Sequence, residues 1–243
     1  MFNELTRNYL LKLASIIYSN IDSKVLFYHD IHNQTSYCDF STPLDVFKMH
    51  IDTIKKANFE IVNKISKKQS QVLIQFDDGY KGILDCIPYI ESEKIPVEIF
   101  IITNFIGKKN YLSEQELKYL DSSDLVKLSS HSHTHKRLSH CDLNTISEEI
   151  EKSKSILESI CRTEINSICY PFGLFSDEVV RSCKMAGYTN QYSSLPGSYF
   201  DPFLDQVYRR NLVQSASKNE LRLILLGANN IFKKRYLKQH YKK

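Results

Sequence analysis

The chain has 243 residues, 42% hydrophobic and 25% charged, with a formal net charge of +4 at pH 7. Such a composition suits one soluble globular domain with a sizeable core, and 7 Gly and 6 Pro leave no linker to divide it. The mild basic excess sits largely in Lys233, Lys234, Arg235, Lys238, Lys242 and Lys243; it reads as a solvated helix face, with contact to anionic lipid or nucleic acid as the alternative, and the expectation is no nucleic-acid partner, with room for peripheral membrane contact.

The cysteines, Cys38, Cys86, Cys141, Cys161, Cys169 and Cys183, are scattered without a CxxC pair. They read as reduced thiols rather than a disulfide or zinc framework. Residues 1–8 lack a basic leader and the apolar run 9–18 is broken by Lys12, so no export signal is expected and the expectation is a cytoplasmic protein. No stretch approaches the roughly 20 apolar residues that span a bilayer. Leu10, Leu11, Leu13, Ala14, Ile16 and Ile17 instead suggest a first helix packed on its own domain, or lying on a membrane or partner.

In chain order, the KVLFY run at 24–28 predicts a buried strand, 43–57 a helix, 59–62 a short strand and 71–76 (QVLIQF) another strand. Residues 82–93 then predict a helix and 97–102 (VEIFII) a strand. Ser113 opens a helix with Ser-x-x-Glu chemistry, 125–129 predicts a strand, and 144–161 the longest helix. A strand at 167–170, a helix at 176–186 closed by Gly187, and strands at 188–192 and 206–213 complete the chain. Repeated βα units predict a parallel sheet, open or closed into a barrel. The divisions expected are an N-terminal helix (1–23), the α/β unit (24–215) and basic C-terminal helices (216–243) packed on it or extending from it.

Chemistry-bearing residues fall at the carboxyl ends of these strands: His29, the Asp77-Asp78 pair, His131, the Pro171-Phe172 turn, and Arg209 or Arg210 inside the last strand. In a closed α/β barrel all of those ends meet on one rim, where active sites lie. A carboxylate with two histidines is a ligand set that divalent metals use when they activate water, and the second carboxylate of a doublet can take the proton. Those residues point to a hydrolase. In the HSHTH run at 131–135 the histidines alternate, so His133 is expected to face away from any shared ligand.

FDDGY at 76–80, SHSHTH at 130–135 and YPFG at 170–173 together resemble the polysaccharide deacetylase or NodB-homology family, family four of the carbohydrate esterases. The resemblance covers residues 24–213. It implies a distorted, TIM-like (β/α)7 barrel and metal-dependent removal of acetyl groups from N-acetylated sugars. By the same resemblance Asp77 would be the catalytic base and Asp78, His131 and His135 would hold one divalent ion, zinc first, with nickel, cobalt or iron accepted by the same donors. Tyr80, Tyr170, Pro171, Phe172 and Gly173 would line the substrate or oxyanion site.

Two elements of the usual pattern are displaced. No Leu-x-His motif follows Arg210, and Cys169 stands near where the third motif has Arg. Family members acting on β-1,6-linked glucosamine polymers carry a Tyr-His pair on an N-terminal strand, which Tyr28-His29 resembles. That makes His29 the candidate acid, and Arg210, in preference to Arg209, the candidate partner of Asp77. The substrate expected is an N-acetylated sugar, free, polymeric, or linked to lipid or nucleotide, with no obligate protein partner; an O-acetyl ester, a non-sugar amide, or carbohydrate binding without catalysis are the alternatives.

Overall fold

The computed structural model describes residues 4–161, 163–204 and 206–242; residues 1–3 and Lys243 of the basic tail lie outside them. Helix α1 (Glu4–Ile17) leads into β1 (Lys24–Tyr28), then α2 (Leu44–Lys56), β2 (Gln71–Phe76), α3 (Ile83–Glu93) and β3 (Val97–Ile101). The alternation continues through α4 (Glu114–Asp121), β4 (Val126–Ser130), α5 (Leu143–Ile160), β5 (Ser167–Cys169), α6 (Asp177–Met185) and β6 (Asn190–Tyr192). Two short strands, β7 (Val207–Tyr208) and β8 (Asn211–Leu212), precede α7 (Lys218–Leu225) and α8 (Lys233–His240).

The strands are parallel and their order runs β7-β6-β5-β4-β3-β2-β1-β8, so the two ends of the sheet belong to one segment of chain. β7 pairs with β6 through Tyr192 and Tyr208, and β8 pairs with β1 through Leu26 and Asn211. With β7 and β8 taken as one broken stave, these two and β1 to β6 form a distorted (β/α)7 barrel. The single strand expected over 206–213 is therefore broken at Arg209-Arg210, where the chain stops pairing with one neighbour and starts pairing with the other.

Period-two alternation explains what faces where. Leu26 and Tyr28, Ile74 and Phe76, Ile99 and Ile101, Leu128 and Ile168 point outward into the layer covered by the helices. The intervening residues point inward, where Val25, Leu73, Phe100, Cys169 and Tyr192 form a second, smaller core. That parity carries upward: Phe27 and His29, Gln75 and Asp77, Ser129 and His131 all belong to the inward set. Ser113 caps α4 as its sequence predicts, accepting from Glu116 N at 3.3 Å while Ser113 N donates to Glu116 Oε2 at 2.6 Å.

Two small parallel pairs have no counterpart in the sequence reading. Asp30–His32 pairs with Ser41–Pro43, and Phe175–Ser176 pairs with Tyr241–Lys242 near the chain's end. Each involves two or three residues and is created by tertiary contact, so neither carries a local periodic signal. No helix among the described residues is long and apolar enough to cross a membrane.

Candidate active site

β2 ends at Phe76, and the next amide still follows the ladder, Asp77 N donating to Tyr28 O at 3.0 Å. Asp78 then adopts φ 73 and Gly79 φ 77, so the chain reverses at once. A straight strand would send the two carboxylates to opposite faces; the left-handed pair lets both line one cavity.

Asp77 is buried and held by Arg210 in a two-pronged ion pair, Nη1 to Oδ1 at 2.7 Å and Nη2 to Oδ2 at 2.8 Å. Arg210 is fixed in turn: its Nε donates to Ser193 O at 2.9 Å, its Nη1 reaches Gln75 Oε1 at 3.3 Å and its Nη2 lies 2.7 Å from Cys169 Sγ. The guanidinium lies over the Phe27 ring, 4.1 Å from its centroid. Burial alone would raise the Asp77 pKa, but the Arg210 charge and hydrogen bonds outweigh it and hold the carboxyl down at about 2. Arg209, on the other side of the break, points away and pairs with Asp201 instead.

His131 follows β4, and its Nδ1 donates to the Cys169 carbonyl at 2.7 Å. That bond turns Nε2 towards the cavity, 3.4 Å from Asp78 Oδ1. His135 Nε2 lies 3.6 Å from the same oxygen. The segment between them is not a strand: Ser132 and His135 have φ of 63 and 62, which curls the loop until the two imidazole rings are 4.9 Å apart. Glu149 of α5 secures that curl, accepting Thr134 N at 2.7 Å and the Thr134 hydroxyl. His133 faces away, with Nδ1 2.9 Å from Thr103 Oγ1.

Asp78, His131 and His135 bring one ligand atom each within 4.8 Å of one another. One oxygen and two nitrogen donors on a partly open cavity suit a divalent cation that keeps positions free for other ligands. A second group, Asp77, His131 and Cys169, meets the same distance condition but fits poorly. Its carboxylate is already occupied by Arg210, and burial raises the Cys169 pKa, which keeps the thiol protonated. At His131 burial opposes the charged form, yet neighbouring Cys169 and Asp78 hold its pKa well above 6.5; burial and the His131 charge push His135 down to about 4.

His29 reaches the cavity after β1. Its Nδ1 is 2.6 Å from Gln214 Oε1, an oxygen that can only accept, so Nδ1 carries the proton and Nε2 is left for exchange. Gln214 is anchored by its own carbonyl, which accepts from buried Thr42 Oγ1 at 3.0 Å. Nothing local in the sequence marks Gln214, which meets His29 across the barrel closure.

YPFG forms a tight turn in which Phe172 has φ 59 and Gly173 φ 67. A Cβ on Gly173 would stand 2.3 Å from Ser194 Oγ, so only glycine fits. The turn leaves the Phe172 ring half exposed, 4.5 Å from the His135 ring and with Arg137 5.1 Å above it. Tyr170 and Pro171 do not reach the cavity. Tyr170 is fully buried, stacked on Phe175 and donating its hydroxyl to Gln191, because the strand's alternation turns it outward beneath the turn.

The cavity has a volume of about 900 Å3. Tyr80, Phe172 and Gly173 line it, together with Phe40, whose ring is 6.0 Å from that of His29. Its far wall is α8, through Tyr236, Gln239 and His240. Phe40 and this wall were not legible in the sequence, since neither belongs to a motif.

The model of the family described as polysaccharide deacetylase matches residues 64–191. The Bacillus subtilis (strain 168) protein YxkH is 25% identical over 185 residues, covering 72% of this chain and 65% of that protein. The poly-beta-1,6-N-acetyl-D-glucosamine N-deacetylase of Staphylococcus aureus (strain MRSA252) is 30% identical over 130 residues, covering 48% of this chain and 45% of that protein. The chain thus spans less than two thirds of the length of either relative. Among solved structures, BC0361, a polysaccharide deacetylase from Bacillus cereus, shares the fold with a TM-score of 0.73 at 22% identity, covering 84% of this chain and 69% of that one. The match to the family model takes in the Asp-Asp pair, the histidine segment and the YPFG turn, and on this basis the chain belongs to the polysaccharide deacetylase family.

Proposed function

We infer that this protein removes the acetyl group from an N-acetylated sugar of the N-acetylglucosamine type. The observation that carries the reading is the adjacency of two differently committed carboxylates: Asp77 clamped by Arg210, and Asp78 facing the two histidines. A divalent cation held by Asp78, His131 and His135, zinc foremost, would supply Lewis acidity and acidify a water at that point.

The chain's own groups account for the remaining steps. Asp77, kept ionised by Arg210, accepts the proton of the attacking water. The new bond joins the water oxygen to the acetyl carbon, and the Phe172 N–H at the turn would donate to the oxyanion. His29, fixed by Gln214, gives a proton from Nε2 to the sugar nitrogen as the C–N bond breaks, leaving acetate and a free amine. Phe40, Tyr80 and Phe172 offer aromatic faces to pyranose rings.

The reading is tested by measuring acetate release from N-acetylglucosamine oligomers, lipid-linked or nucleotide-linked N-acetylglucosamine, O-acetylated xylan and allantoin, with wild type and Asp77→Asn. Release from an N-acetylated sugar that Asp77→Asn abolishes is expected. Release from the ester alone, or from allantoin alone, overturns it.

A further inference from the structure

Helix α1 is apolar on two opposite faces. Leu11 and Ala14 are fully buried against Ala228, Leu223, Ile231 and Phe232, which fixes the helix on α7 and the turn after it. The opposite face carries Tyr9, Leu13, Ile16 and Ile17, at the i, i+4, i+7, i+8 spacing that forms one stripe. These side chains face solvent, Ile16 being 77%, Ile17 72% and Tyr9 64% exposed. The stripe continues past the helix into Tyr18 and Ile21, and Leu226 joins it, since Asn20 N donates to Leu226 O at 3.1 Å. Scattered exposed apolar residues are normal; a continuous ridge of this length on one helix is not.

The surroundings of the ridge are cationic. Lys12 is exposed on α1 itself. Lys218 and Arg222 are exposed on α7, against which α1 packs, Arg222 one helical turn before Leu226, and Glu220 is the one acidic residue between 216 and 243. An apolar ridge beside such charge has the composition of a helix lying in the plane of an anionic membrane interface, with Tyr9 and Tyr18 suited to the headgroup level. A second copy of the chain is a poorer occupant. A two-fold contact would bring the same cationic side chains together.

We propose that the α1 ridge and the neighbouring basic segment dock this protein on an anionic lipid surface. The test is co-sedimentation of the full chain with phosphatidylcholine vesicles, with and without phosphatidylglycerol. Wild type is expected to bind the phosphatidylglycerol vesicles only, and less at high salt. Ile16→Glu with Ile17→Glu should weaken that binding at least about tenfold, since two branched apolar side chains leave the interface. Lys12→Glu with Arg222→Glu should weaken it and flatten its salt dependence. Circular dichroism checks that each variant is folded. Absence of vesicle binding by wild type, or binding that the isoleucine variant retains, overturns the proposal; so does a concentration-dependent dimer that Ile17→Glu dissociates, which would give the ridge to a second copy.

Discussion

Arg210 and Asp77 form a buried, two-pronged ion pair across the break between β7 and β8, at 2.7 and 2.8 Å. The pair ties the closing stave of the barrel to the end of β2, so the same contact serves fold and site. Removing one partner of a buried pair strands the other charge, and Arg210→Met should cost about 3 to 5 kcal/mol in denaturant unfolding.

The same substitution has a signature in pH. With Arg210 present the Asp77 carboxyl sits at about 2, below its unfolded value, so its contribution to stability is present above roughly pH 4 and is lost as pH falls towards 2. Without Arg210, burial acts unopposed and raises the Asp77 pKa. The acid limb of kcat/KM for Arg210→Met should therefore move upward; an unmoved limb alongside intact folding would separate Arg210 from the basicity of Asp77.

Asp78→Ala and His131→Ala each remove one donor from a three-donor set. Both should lower divalent-metal affinity by at least about a hundredfold and abolish turnover with it. Asp77→Asn should keep the metal and lose roughly 10²- to 10⁴-fold in kcat. Metal content by elemental analysis, run beside acetate release, separates the two classes.

Metal uptake should itself depend on pH. The proton on His131, whose pKa lies above 6.5 without metal, must leave before Nε2 can bind, so affinity should rise with pH through and above that value. The sign for the metal-free protein is opposite: stability from this proton is full below about 6.5 and falls as pH rises through the higher folded value. Calorimetric titration in buffers of different ionisation enthalpy would count the protons released. A count of zero at neutral pH contradicts the assignment.

His29→Ala should retain metal and lower kcat, and Gln214→Leu should lower kcat less, because the ring stays but loses the partner that fixes its tautomer. Loss of metal from His29→Ala would place that residue among the ligands instead.

Gly173→Ala probes the YPFG turn. A Cβ there meets Ser194 at positive φ, so about 1 to 3 kcal/mol of stability should be lost, with a raised KM as Phe172 shifts. An unchanged denaturation midpoint and KM would show that the turn can relax.

Much of this arrangement was legible along the chain because strand physics is local. The runs at 24–28, 71–76 and 97–101 are dominated by β-branched, aliphatic and aromatic residues and buried along their whole length, as strands covered on both faces are, and their ends announced His29 and Asp77-Asp78. The choice between parallel neighbours at the barrel's closure is not local. It depends on the break at Arg209-Arg210, where successive side chains go to opposite sides, one to Asp201 and one to Asp77. Likewise the i, i+4 histidines suggested a shared ion, but the left-handed residues Ser132 and His135, held by Glu149 from α5, bring the rings together.

The βα alternation, the doublet, the histidine segment and the turn are written in residue type and short-range spacing. Tertiary structure alone decided that Arg210 clamps Asp77, that Gln214 orients His29, that Tyr170 lies behind the cavity and that α8 walls it. Those relations join residues far apart in the chain, and only closure of the barrel makes them neighbours.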